Sequence, residues 1–542
     1  MAQTETIDND VCRMLCSLAA DYGVRDVIVS PGTRSAPLAV VFSRSAHFRI
    51  HTIIDERCAA FMALGMSLAT EQPVVLICTS GSALMNYGPA LAEAYYRRVP
   101  VIAITADRPA RWIDQLDSQT MRQPGALAAV VRKWVDIPVA ADTDAALFTK
   151  ANLEVCDAFD AALGSRRGPV HINVQLDMPL TPLTDKEPVN KARLIKAIRP
   201  QGSPGDFDEI IGKIRDKKIV IVCGDTTPGE RSALNSIDLR EIPVLAEVQA
   251  NIAHSYRIGT FDRLLRAACA DGLEPDIVIA MGGSIVSARL KRWLRTSANT
   301  EVFTLGHTDN STDTYKRLTT RIECDPLPFL QALAAAVTET EYSRRWQSFA
   351  EESQLKNENF VRTNPIMAAI GKIADRFRGD IHVGNGSAIR YAQMLRWNGP
   401  VYSNRGISGI DGCTSTALGY ALAGSAPTLL ITGDMSAAYD IGALGAAVPP
   451  RGFRIVVLDN DGGDIFRNIG TTGGLPELEQ LFTVPPRLPL RQLADAYGYR
   501  YFEYSCQQPD DSVIDDFLDP EGSPAIMRLK IQKEYSKHLE VV

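Results

Sequence analysis

The chain has 542 residues, of which 45% are hydrophobic and 22% charged, which is ordinary usage for a globular protein too long for one core. Its 57 Lys and Arg residues against 64 Asp and Glu residues give a net charge of −7, and the absence of a basic run argues against nucleic acid as a partner. The first ten residues are polar and acidic and the ten cysteines contain no Cys-x-x-Cys pair, which predicts a cytoplasmic protein without a zinc site. No long apolar run occurs, so no membrane span is expected.

Strand-like apolar runs alternate with helix-like segments along the chain, which predicts an α/β fold with parallel sheets covered on both faces. In the first region these runs are Asp26–Ser30, Val74–Cys78, Val101–Thr105 and Val170–Val174. The polar, proline-bearing stretch Thr181–Arg193 then predicts a linker.

A second region contains the runs Lys218–Gly224 and Asp276–Gly283 and resembles a Rossmann-like domain. It lacks a full Gly-x-Gly-x-x-Gly, so no dinucleotide is expected there. The polar, helix-like segment Tyr342–Asn359 leads to a third region, whose runs are Ile381–Val383, Pro400–Tyr402, Leu429–Ile431 and Ile455–Leu458. We therefore expect three doubly wound parallel-sheet domains, with bounds 1–182, 195–345 and 355–542.

Two apolar runs of the third region each end in a loop rich in glycine and acidic residues. Asp434 lies in Ile-Thr-Gly-Asp-Met-Ser, and Asn460 follows 26 positions later in Leu-Asp-Asn-Asp-Gly-Gly, which also contains Gly462. A carboxylate, an amide oxygen and the Gly462 carbonyl are hard ligands that suit Mg²⁺, which completes its shell with water and phosphate oxygens. The following stretch, from Ser436 to Leu444, is compatible with a helix whose first amides would face the same phosphates. This spacing predicts a metal-dependent diphosphate anchor.

Far upstream, a β-branched run is followed by Asp55, Glu56 and Arg57 and then by a helix-like segment rich in small residues. This order predicts that Glu56 lies at the C-terminal edge of a strand, where α/β sheets hold their ligands. The glutamate and the later Gly-Asp…Asn motif together resemble the thiamine diphosphate-dependent decarboxylase and synthase superfamily. The resemblance implies pyrimidine-binding, central and diphosphate-binding domains. It also implies that Glu56 is the catalytic residue, which bonds the aminopyrimidine ring of the cofactor and assists loss of its C2 proton.

Four further blocks are similar to the SEPHCHC synthase family (2-succinyl-5-enolpyruvyl-6-hydroxy-3-cyclohexene-1-carboxylate synthases) of menaquinone biosynthesis. They are Ser30–Leu38, Thr105–Pro109, Arg122–Gly125 and Tyr402–Gly412, and the last contains a highly specific Ser-Asn-Arg-Gly-x-Ser-Gly-Ile-Asp-Gly string. The resemblance implies a transferase that decarboxylates 2-oxoglutarate and adds the resulting succinyl carbanion equivalent to isochorismate in a 1,4 sense. It further implies thiamine diphosphate with Mg²⁺ or Mn²⁺ as cofactors, and a homodimer as the smallest active form because two subunits form each site.

The same resemblance implies roles for single residues. Cofactor contacts are expected from Gln119, Asn385, Ile410, Gly433, Ser436 and Ile465, in addition to Glu56, Asp434 and Asn460, with Ile410 holding the cofactor in its bent shape. Both substrates are dicarboxylates and need several planar cations, and the matching residues are Thr33, Arg34, Arg108, Arg390 and Arg405. Phe466 and Ile469 match apolar wall positions near the second substrate.

Two positions depart from the family pattern. The family commonly has a lysine after Val-Ser in the central domain, whereas this chain has Ala288 there, which leaves Arg289 or Lys291 as a substitute or no contact at all. The family's Gly-Asn-Ser is Gly-Asn-Gly-Ser at 384–387, so the hydroxyl is displaced by one position.

Other functions stay open from the sequence alone. A simpler 2-oxo acid decarboxylase or an acetohydroxyacid-type carboligase would need fewer carboxylate-binding arginines. A silent protein that binds thiamine diphosphate as a structural ligand is disfavoured by Glu56, and a nicotinamide oxidoreductase is disfavoured by the missing glycine fingerprint. The sequence leaves undecided whether dimers pair into tetramers, which metal is used, and whether an effector binds the central domain.

Overall fold

The structure is a computed structural model that describes residues 5–195, 207–254, 256–265, 272–307 and 311–532. The chain divides into two compact units. The first consists of Met1–Ile198, Gly406–Ser425 and Asp440–Pro450, and the second of Arg199–Arg405, Ala426–Tyr439 and Arg451–Val542.

The strands are short and rich in β-branched and aliphatic residues, as pleated, buried segments favour. They are β1 (Thr6–Ile7), β2 (Asp26–Val29), β3 (Arg49–Thr52), β4 (Val74–Cys78), β5 (Val101–Asp107), β6 (Trp134–Ile137), β7 (Val170–Gln175), β8 (Leu183–Thr184), β9 (Ile219–Cys223), β10 (Val244–Ala246), β11 (Arg257–Ile258), β12 (Ile277–Met281), β13 (Glu301–Leu305), β14 (Leu318–Ile322), β15 (Asp380–Val383), β16 (Val401–Tyr402), β17 (Thr428–Gly433), β18 (Phe453–Asp459), β19 (Arg500–Ser505) and β20 (Ala525–Lys530).

Most of the helices connect consecutive strands of one sheet, as parallel pairing requires. They are α1 (Asp10–Asp21), α2 (Ala36–Arg44), α3 (Glu56–Thr70), α4 (Ser82–Asn86), α5 (Gly88–Arg97), α6 (Ala145–Leu163), α7 (Asp208–Ile214), α8 (Pro228–Ser236), α9 (Phe261–Leu264), α10 (Ala288–Thr296), α11 (Pro326–Ala336), α12 (Glu341–Thr363), α13 (Pro365–Arg376), α14 (Ser387–Ala392), α15 (Cys413–Ala423), α16 (Asp434–Tyr439), α17 (Ile465–Asn468), α18 (Leu490–Tyr497) and α19 (Asp511–Leu518).

The first unit contains a six-stranded sheet with the order β3-β2-β4-β5-β7-β6, and every neighbouring pair in it is parallel. Every residue of β2, β4 and β5 is buried, because helices cover both faces of the sheet. The continuous apolar runs that predicted these strands therefore reflect two-sided burial rather than amphipathic alternation.

Helices α3 and α15 pack closely within the first unit, and glycine makes this crossing possible. A Cβ on Gly65 would lie 2.0 Å from the Thr416 carbonyl oxygen, and one on Gly419 would lie 2.2 Å from the Met62 carbonyl oxygen. The two backbones are thus in direct contact, so the helix that begins at Glu56 is held against α15 along its length.

The second unit contains two more parallel sheets. Their orders are β11-β10-β9-β12-β13-β14 and β16-β15-β17-β18-β20-β19. All strand pairs in both are parallel, so the predicted α/β class with three parallel-sheet layers is confirmed. The three domain bounds stay predictions.

The structure differs from the predictions in two segments. The stretch Thr181–Arg193 is more than a linker, because β8 pairs antiparallel with β1 and the Asn190 amide donates to Asp10 Oδ2 at 2.7 Å. The expected helix from Ser436 to Leu444 is interrupted, since α16 ends at Tyr439 and a separate 3₁₀ turn covers Ile441–Gly445. Asp440, between them, uses its side chain to bind another helix rather than to continue this one.

Across the described part of the chain, no helix combines the length and apolar character needed to cross a bilayer.

Candidate active site

The predicted metal ligands lie at the ends of two neighbouring strands in the second unit. Strands β17 and β18 are parallel neighbours, with Gly433 opposite Leu458 at their carboxyl ends. Asp434 directly follows the first strand and Asn460 directly follows the second. Because parallel strands end at the same edge, this register brings the two side chains to one place, as the sequence spacing predicts.

Asp434 is buried and held by two backbone amides. The Met435 amide donates to Oδ1 at 2.7 Å, and the Gly462 amide donates to Oδ2 at 2.8 Å. The pKa of Asp434 is raised to about 6, mainly because the side chain is buried. The hydrogen bonds from the two amides oppose this rise, and the charges of Asp459 and Asp461 add to it. The carboxylate is therefore oriented by the turn that contains Asn460 and Gly462, and a cation would stabilise its charged form.

Asn460 supplies the observation that tests whether a metal fits here. The side chain is only 6% exposed, and its Oδ1 accepts no hydrogen bond from any residue that the structure describes. A buried, unsatisfied amide oxygen is costly unless a ligand completes it. With the Asp434 carboxylate and the Gly462 carbonyl, it forms a hard-oxygen donor set that fits Mg²⁺ or Mn²⁺. No group of three or more His, Cys, Asp or Glu suited to a metal occurs among the described residues.

Gly462 shapes this turn through its backbone. Its φ of +102° is a conformation that favours glycine, and a Cβ there would lie 1.6 Å from the Thr483 carbonyl oxygen. The adjacent Gly463 amide donates to that same oxygen at 2.6 Å. The turn thus packs directly against the backbone of Thr483, and this contact fixes the directions of the Gly462 carbonyl and amide.

A second group of predicted residues meets in the same unit. The Arg405 guanidinium donates to Asn385 Oδ1 at 2.8 Å, and Asn385 Nδ2 donates to the Asn404 carbonyl at 2.6 Å. Arg390, on α14, donates to the Gly386 carbonyl at 2.8 Å. Burial lowers the pKa of Arg390, and the Arg405 charge lowers it further, so the two guanidinium groups lie near each other. Arg390 and Arg405, both predicted to bind substrate, therefore lie close together in the second unit.

Ser436 is buried in α16, whereas the apolar residues after the Asn460 turn are less enclosed. Ile465, Phe466 and Ile469 are half-buried on and beside the one-turn helix α17, none of whose residues is fully buried. These side chains are consequently not a buried helix stripe, and they retain apolar surface for a ligand.

In the first unit, Glu56 is the first residue of α3 and is half-buried. Asp55 caps this helix, accepting from the Arg57 and Cys58 amides at 2.9 and 3.2 Å. Burial raises the pKa of Cys78 and of Tyr87, and the charge of the Glu56 carboxylate raises both further. Glu56 thus begins the helix that follows the carboxyl end of β3.

Arg34 and Arg108 also lie close together in the first unit. Burial lowers the pKa of Arg34, and the neighbouring Arg108 lowers it further. The Arg108 guanidinium donates to Asp117 Oδ2 at 3.2 Å and to the Ser118 carbonyl at 2.9 Å. Thr33 and Gln119 are exposed, and Gln119 has a φ of +58° while its carbonyl accepts from the Ser80 hydroxyl at 2.9 Å. The hydrogen bond from Ser80 fixes the backbone at Gln119, a position that the sequence alone describes only as an exposed loop.

Ile410 is 36% exposed, and the loop that contains it is fixed by a residue that sequence reasoning missed. Glu93, on α5 and only 1% exposed, accepts hydrogen bonds from the Gly406 and Ile407 amides, each at 2.8 Å. A Cβ on Gly406 would lie 2.6 Å from the Glu93 carbonyl oxygen. The glycine of the specific string is therefore required for close approach to α5.

Asp440 is a second missed residue, and it ties the start of α15 to the start of α3. It is fully buried and accepts from the Ser415 amide at 2.6 Å and the Ser415 hydroxyl at 2.8 Å. Arg57 lies 3.7 Å from its Oδ1, and the Cys58 thiol lies 3.8 Å from the same oxygen. This network holds the turn of helix that begins with Glu56.

Comparison with known proteins places these features in a class. The model of the N-terminal thiamine pyrophosphate-binding domain of thiamine pyrophosphate enzymes matches residues 10–126, and the model of the thiamine pyrophosphate middle domain matches residues 204–365. With the three parallel sheets, these matches define a thiamine diphosphate-dependent enzyme, which uses a divalent metal as is typical of the class.

Relatives similar over nearly the full chain narrow the class to a family. A 2-succinyl-5-enolpyruvyl-6-hydroxy-3-cyclohexene-1-carboxylate synthase from Porphyromonas gingivalis is 36% identical over 93% of this chain and 91% of its own length. Proteins of the same name from Cytophaga hutchinsonii and Desulfotalea psychrophila are each 34% identical, over 96% and 94% of this chain and 95% and 96% of their own lengths. The chain belongs to the SEPHCHC synthase family.

Proposed function

We propose that this protein decarboxylates 2-oxoglutarate and joins the remaining four-carbon unit to isochorismate by 1,4-addition, releasing CO₂ and SEPHCHC. The observation that carries the proposal is the similarity to synthases of this name at 36% identity over 93% of the chain. The buried oxygen set and the grouped arginines support it, because the reaction needs a diphosphate anchor and several binding groups for carboxylates.

Asp434, Asn460 and the Gly462 carbonyl are proposed to hold Mg²⁺ or Mn²⁺, with Gly433 and Ser436 contacting the diphosphate. The unsatisfied Asn460 Oδ1 and the two amides that orient Asp434 support this assignment. Thiamine diphosphate, when bound, supplies a thiazolium ring that accepts the electron pair left by loss of CO₂. The contribution of this chain is to fix the anchor and to exclude water from it.

Glu56 is proposed to hold the proton shared with the aminopyrimidine ring. Its support is the half-buried placement at the start of α3, where its charge acts on the buried Cys78 and Tyr87. Gln119, Asn385, Ile410 and Ile465 are proposed as further cofactor contacts.

Arg34, Arg108, Arg390 and Arg405 are proposed to bind the substrate carboxylates, with Thr33 as a neutral donor. Two of these arginines lie close together within each unit, so each pair offers paired positive charge. Phe466 and Ile469 are proposed as apolar walls for the ring of the second substrate.

We further propose a homodimer as the smallest active form and a cytoplasmic location. The first rests on the family resemblance, and the second is supported by nine free cysteines in the described ranges. Sedimentation of the purified protein at assay concentration tests the first, since a fully active monomer would contradict it. The location is tested by fractionating cells of the source organism.

The reaction is tested by incubating the purified protein with thiamine diphosphate, Mg²⁺, 2-oxoglutarate and isochorismate while following CO₂ release and the loss of isochorismate. Omission of the cofactor, the metal or either substrate should stop product formation. Pyruvate in place of 2-oxoglutarate should give little product, because it lacks the second carboxylate. Efficient carboligation of pyruvate alone would contradict the proposal.

Glu56→Gln tests the proton-holding role. The amide retains the shape of the side chain but does not titrate, so turnover should be abolished while the affinity for thiamine diphosphate stays near that of the wild type. Glu154→Gln, at a half-buried position on α6 where, among the described residues, the side chain pairs only with Lys150, is a matched control and should have normal activity. Near-normal turnover of Glu56→Gln would refute the role.

A further inference from the structure

Helix α10 of the second unit begins on a buried acid. Ser287 caps the helix by accepting from the Leu290 amide at 3.0 Å. The Glu247 carboxylate, only 1% exposed, accepts from the Val286 and Ser287 amides at 2.8 Å each and from Gln249 Nε2 at 2.6 Å. Because these amide groups donate to the carboxylate, Glu247 fixes the start of the helix, and none of the cations in the described ranges forms an ion pair with it.

The first two side chains of α10 are not available for an anion. Ala288 is exposed and has only a methyl group. Arg289 is held by Asp262, with 2.5 Å between its guanidinium and Oδ2, and the Ser287 hydroxyl bonds the other oxygen of the same carboxylate. An incoming carboxylate would have to displace this ion pair to use Arg289.

Lys291 differs from both neighbours. It is half-buried, and none of the described residues forms a hydrogen bond or an ion pair with its ammonium group. Burial lowers the pKa of Lys291, the Glu247 charge raises it, and Arg405, Arg295 and Arg390 lower it again. Gln249, which donates to Glu247, accepts from Gln393 Nε2 at 2.9 Å directly after α14, so the start of α10 lies beside the helix that carries Arg390. Lys291 is therefore a partly buried cation near other cations, without an ion pair among the described residues.

Helix geometry directs Lys291 toward the region that a lysine at position 288 would reach. Residues three apart lie on the same helix face, about one turn from each other. Side chains on a helix lean toward its N-terminus, so a residue covers the turn before its own Cα. Helix geometry therefore predicts that the Lys291 ammonium extends over the first turn of α10, where Ala288 provides no polar group.

We propose that Lys291, together with Arg390 and Arg405, binds a carboxylate of one of the two substrates. The inference rests on the proposed function and deepens it by assigning the cation that Ala288 cannot supply. The carboxylate belongs either to 2-oxoglutarate or to isochorismate, and the two are separated by which KM changes.

The test compares Lys291→Met, which removes the charge at similar length, with Lys291→Arg, which keeps it. Loss of one charge-assisted contact should raise the KM for one substrate by roughly 10- to 100-fold. The KM for the other substrate and the affinity for thiamine diphosphate should change less than about threefold, and the arginine variant should recover most of the loss. Arg292→Met alters an exposed neighbour on the same helix and should behave like the wild type.

A relocation variant separates substrate binding from a structural role. The double variant Ala288→Lys with Lys291→Ala moves the amine back by one helical turn and should restore the KM to within about fivefold of the wild type. If Lys291 had only a structural role, the relocated amine would not restore the KM. The inference is overturned if Lys291→Met leaves both KM values unchanged, if Arg292→Met causes the same loss, or if the relocated lysine gives no recovery.

Failure of the inference can be told from failure of the proposed function. The wild-type protein is assayed first with 2-oxoglutarate and isochorismate. An inactive wild type contradicts the proposed function, whereas an active wild type with a normal Lys291→Met variant contradicts only the role of Lys291.

Discussion

Replacing Gly462 by alanine tests whether the turn after β18 is the metal and diphosphate anchor. The added Cβ would lie 1.6 Å from the Thr483 carbonyl oxygen and 2.8 Å from the Thr483 carbonyl carbon, where ordinary contact begins at 3.4 Å. Both of these are backbone atoms, so no side-chain rotation relieves the overlap. One segment has to move by roughly 2 Å, because packed backbone cannot be compressed.

The magnitude follows from two contributions. A non-glycine residue in this part of φ,ψ space costs about 1–3 kcal/mol. Displacing the turn also weakens the hydrogen bond from the Gly462 amide to Asp434, worth about 1.5–3 kcal/mol for a charged acceptor. A loss of about 3 kcal/mol at the site corresponds to binding of thiamine diphosphate and Mg²⁺ that is weaker by about 100-fold.

The assay is calorimetric titration of thiamine diphosphate at fixed Mg²⁺, with the cofactor-induced rise in melting temperature as a second readout. Gly474→Ala is the matched control, since nothing lies within 4 Å of its Cβ and its backbone has no left-handed φ. It should bind the cofactor as the wild type does. Affinity of Gly462→Ala within about threefold of the wild type would refute this account of the turn.

Three more predictions concern the first unit. Gly65→Ala gains about 1 kcal/mol of helix propensity but places a Cβ 2.0 Å from the Thr416 carbonyl oxygen, so the melting temperature should fall, as measured by differential scanning calorimetry. Burial raises the pKa of Asp440 from 3.8 to about 6, so the stabilisation from protonation is complete below pH 3.8 and is lost as the pH rises through 6. Asp440→Asn should remove this component, worth up to roughly 3 kcal/mol, from the pH dependence of melting. Glu93→Gln leaves one of two backbone donors without its acceptor and should increase proteolysis of the loop at 403–412, with a stability loss of about 2 kcal/mol.

Each of these predictions has a control or a contradicting outcome. Gly229→Ala, a helical glycine with nothing within 4 Å of its Cβ, should be neutral or slightly stabilising, and an equal loss there would contradict the packing argument. Identical pH profiles for the wild type and Asp440→Asn would contradict the buried-charge argument. Unchanged proteolysis of Glu93→Gln would show that the two amides do not need a charged acceptor.

The strands, and the placement of Asp434 and Asn460 at neighbouring strand ends, were predictable because their signals are local. Val74–Cys78 was predicted with the same bounds that the structure has, since a strand buried on both faces is a continuous apolar run. The strand-end positions of Asp434 and Asn460 were predictable because each residue directly follows such a run. The register that makes them neighbours requires only that β17 and β18 pair in parallel.

The positioning acids could not be predicted, since their partners are distant in sequence. Glu93 accepts hydrogen bonds from amides that are 313 and 314 positions away in sequence. Asp440 is 25 positions from its partner Ser415, and Glu247 is 39 positions from its partner Val286. No local pattern distinguishes these residues from exposed acids. The break in the helix after Tyr439 has the same origin, because the contact of Asp440 with another helix replaces continuation of its own.

Two kinds of polar group differ in whether the fold supplies their hydrogen-bond partners: the acids that stabilise the structure and the groups proposed to bind a ligand. Glu93, Glu247 and Asp440 are buried carboxylates whose oxygens accept hydrogen bonds from backbone amides, so their partners lie within the fold. Asn460 Oδ1 is buried without a hydrogen bond among the described residues, and Lys291 has no counter-ion among them. Folding tolerates such groups at a cost of about 1–3 kcal/mol each, which an Mg²⁺ ion or a carboxylate can offset. Substitution of an acid in the first group should therefore lower the free energy of unfolding, whereas substitution of Asn460 or Lys291 should weaken ligand binding. This contrast can be measured for each residue in turn.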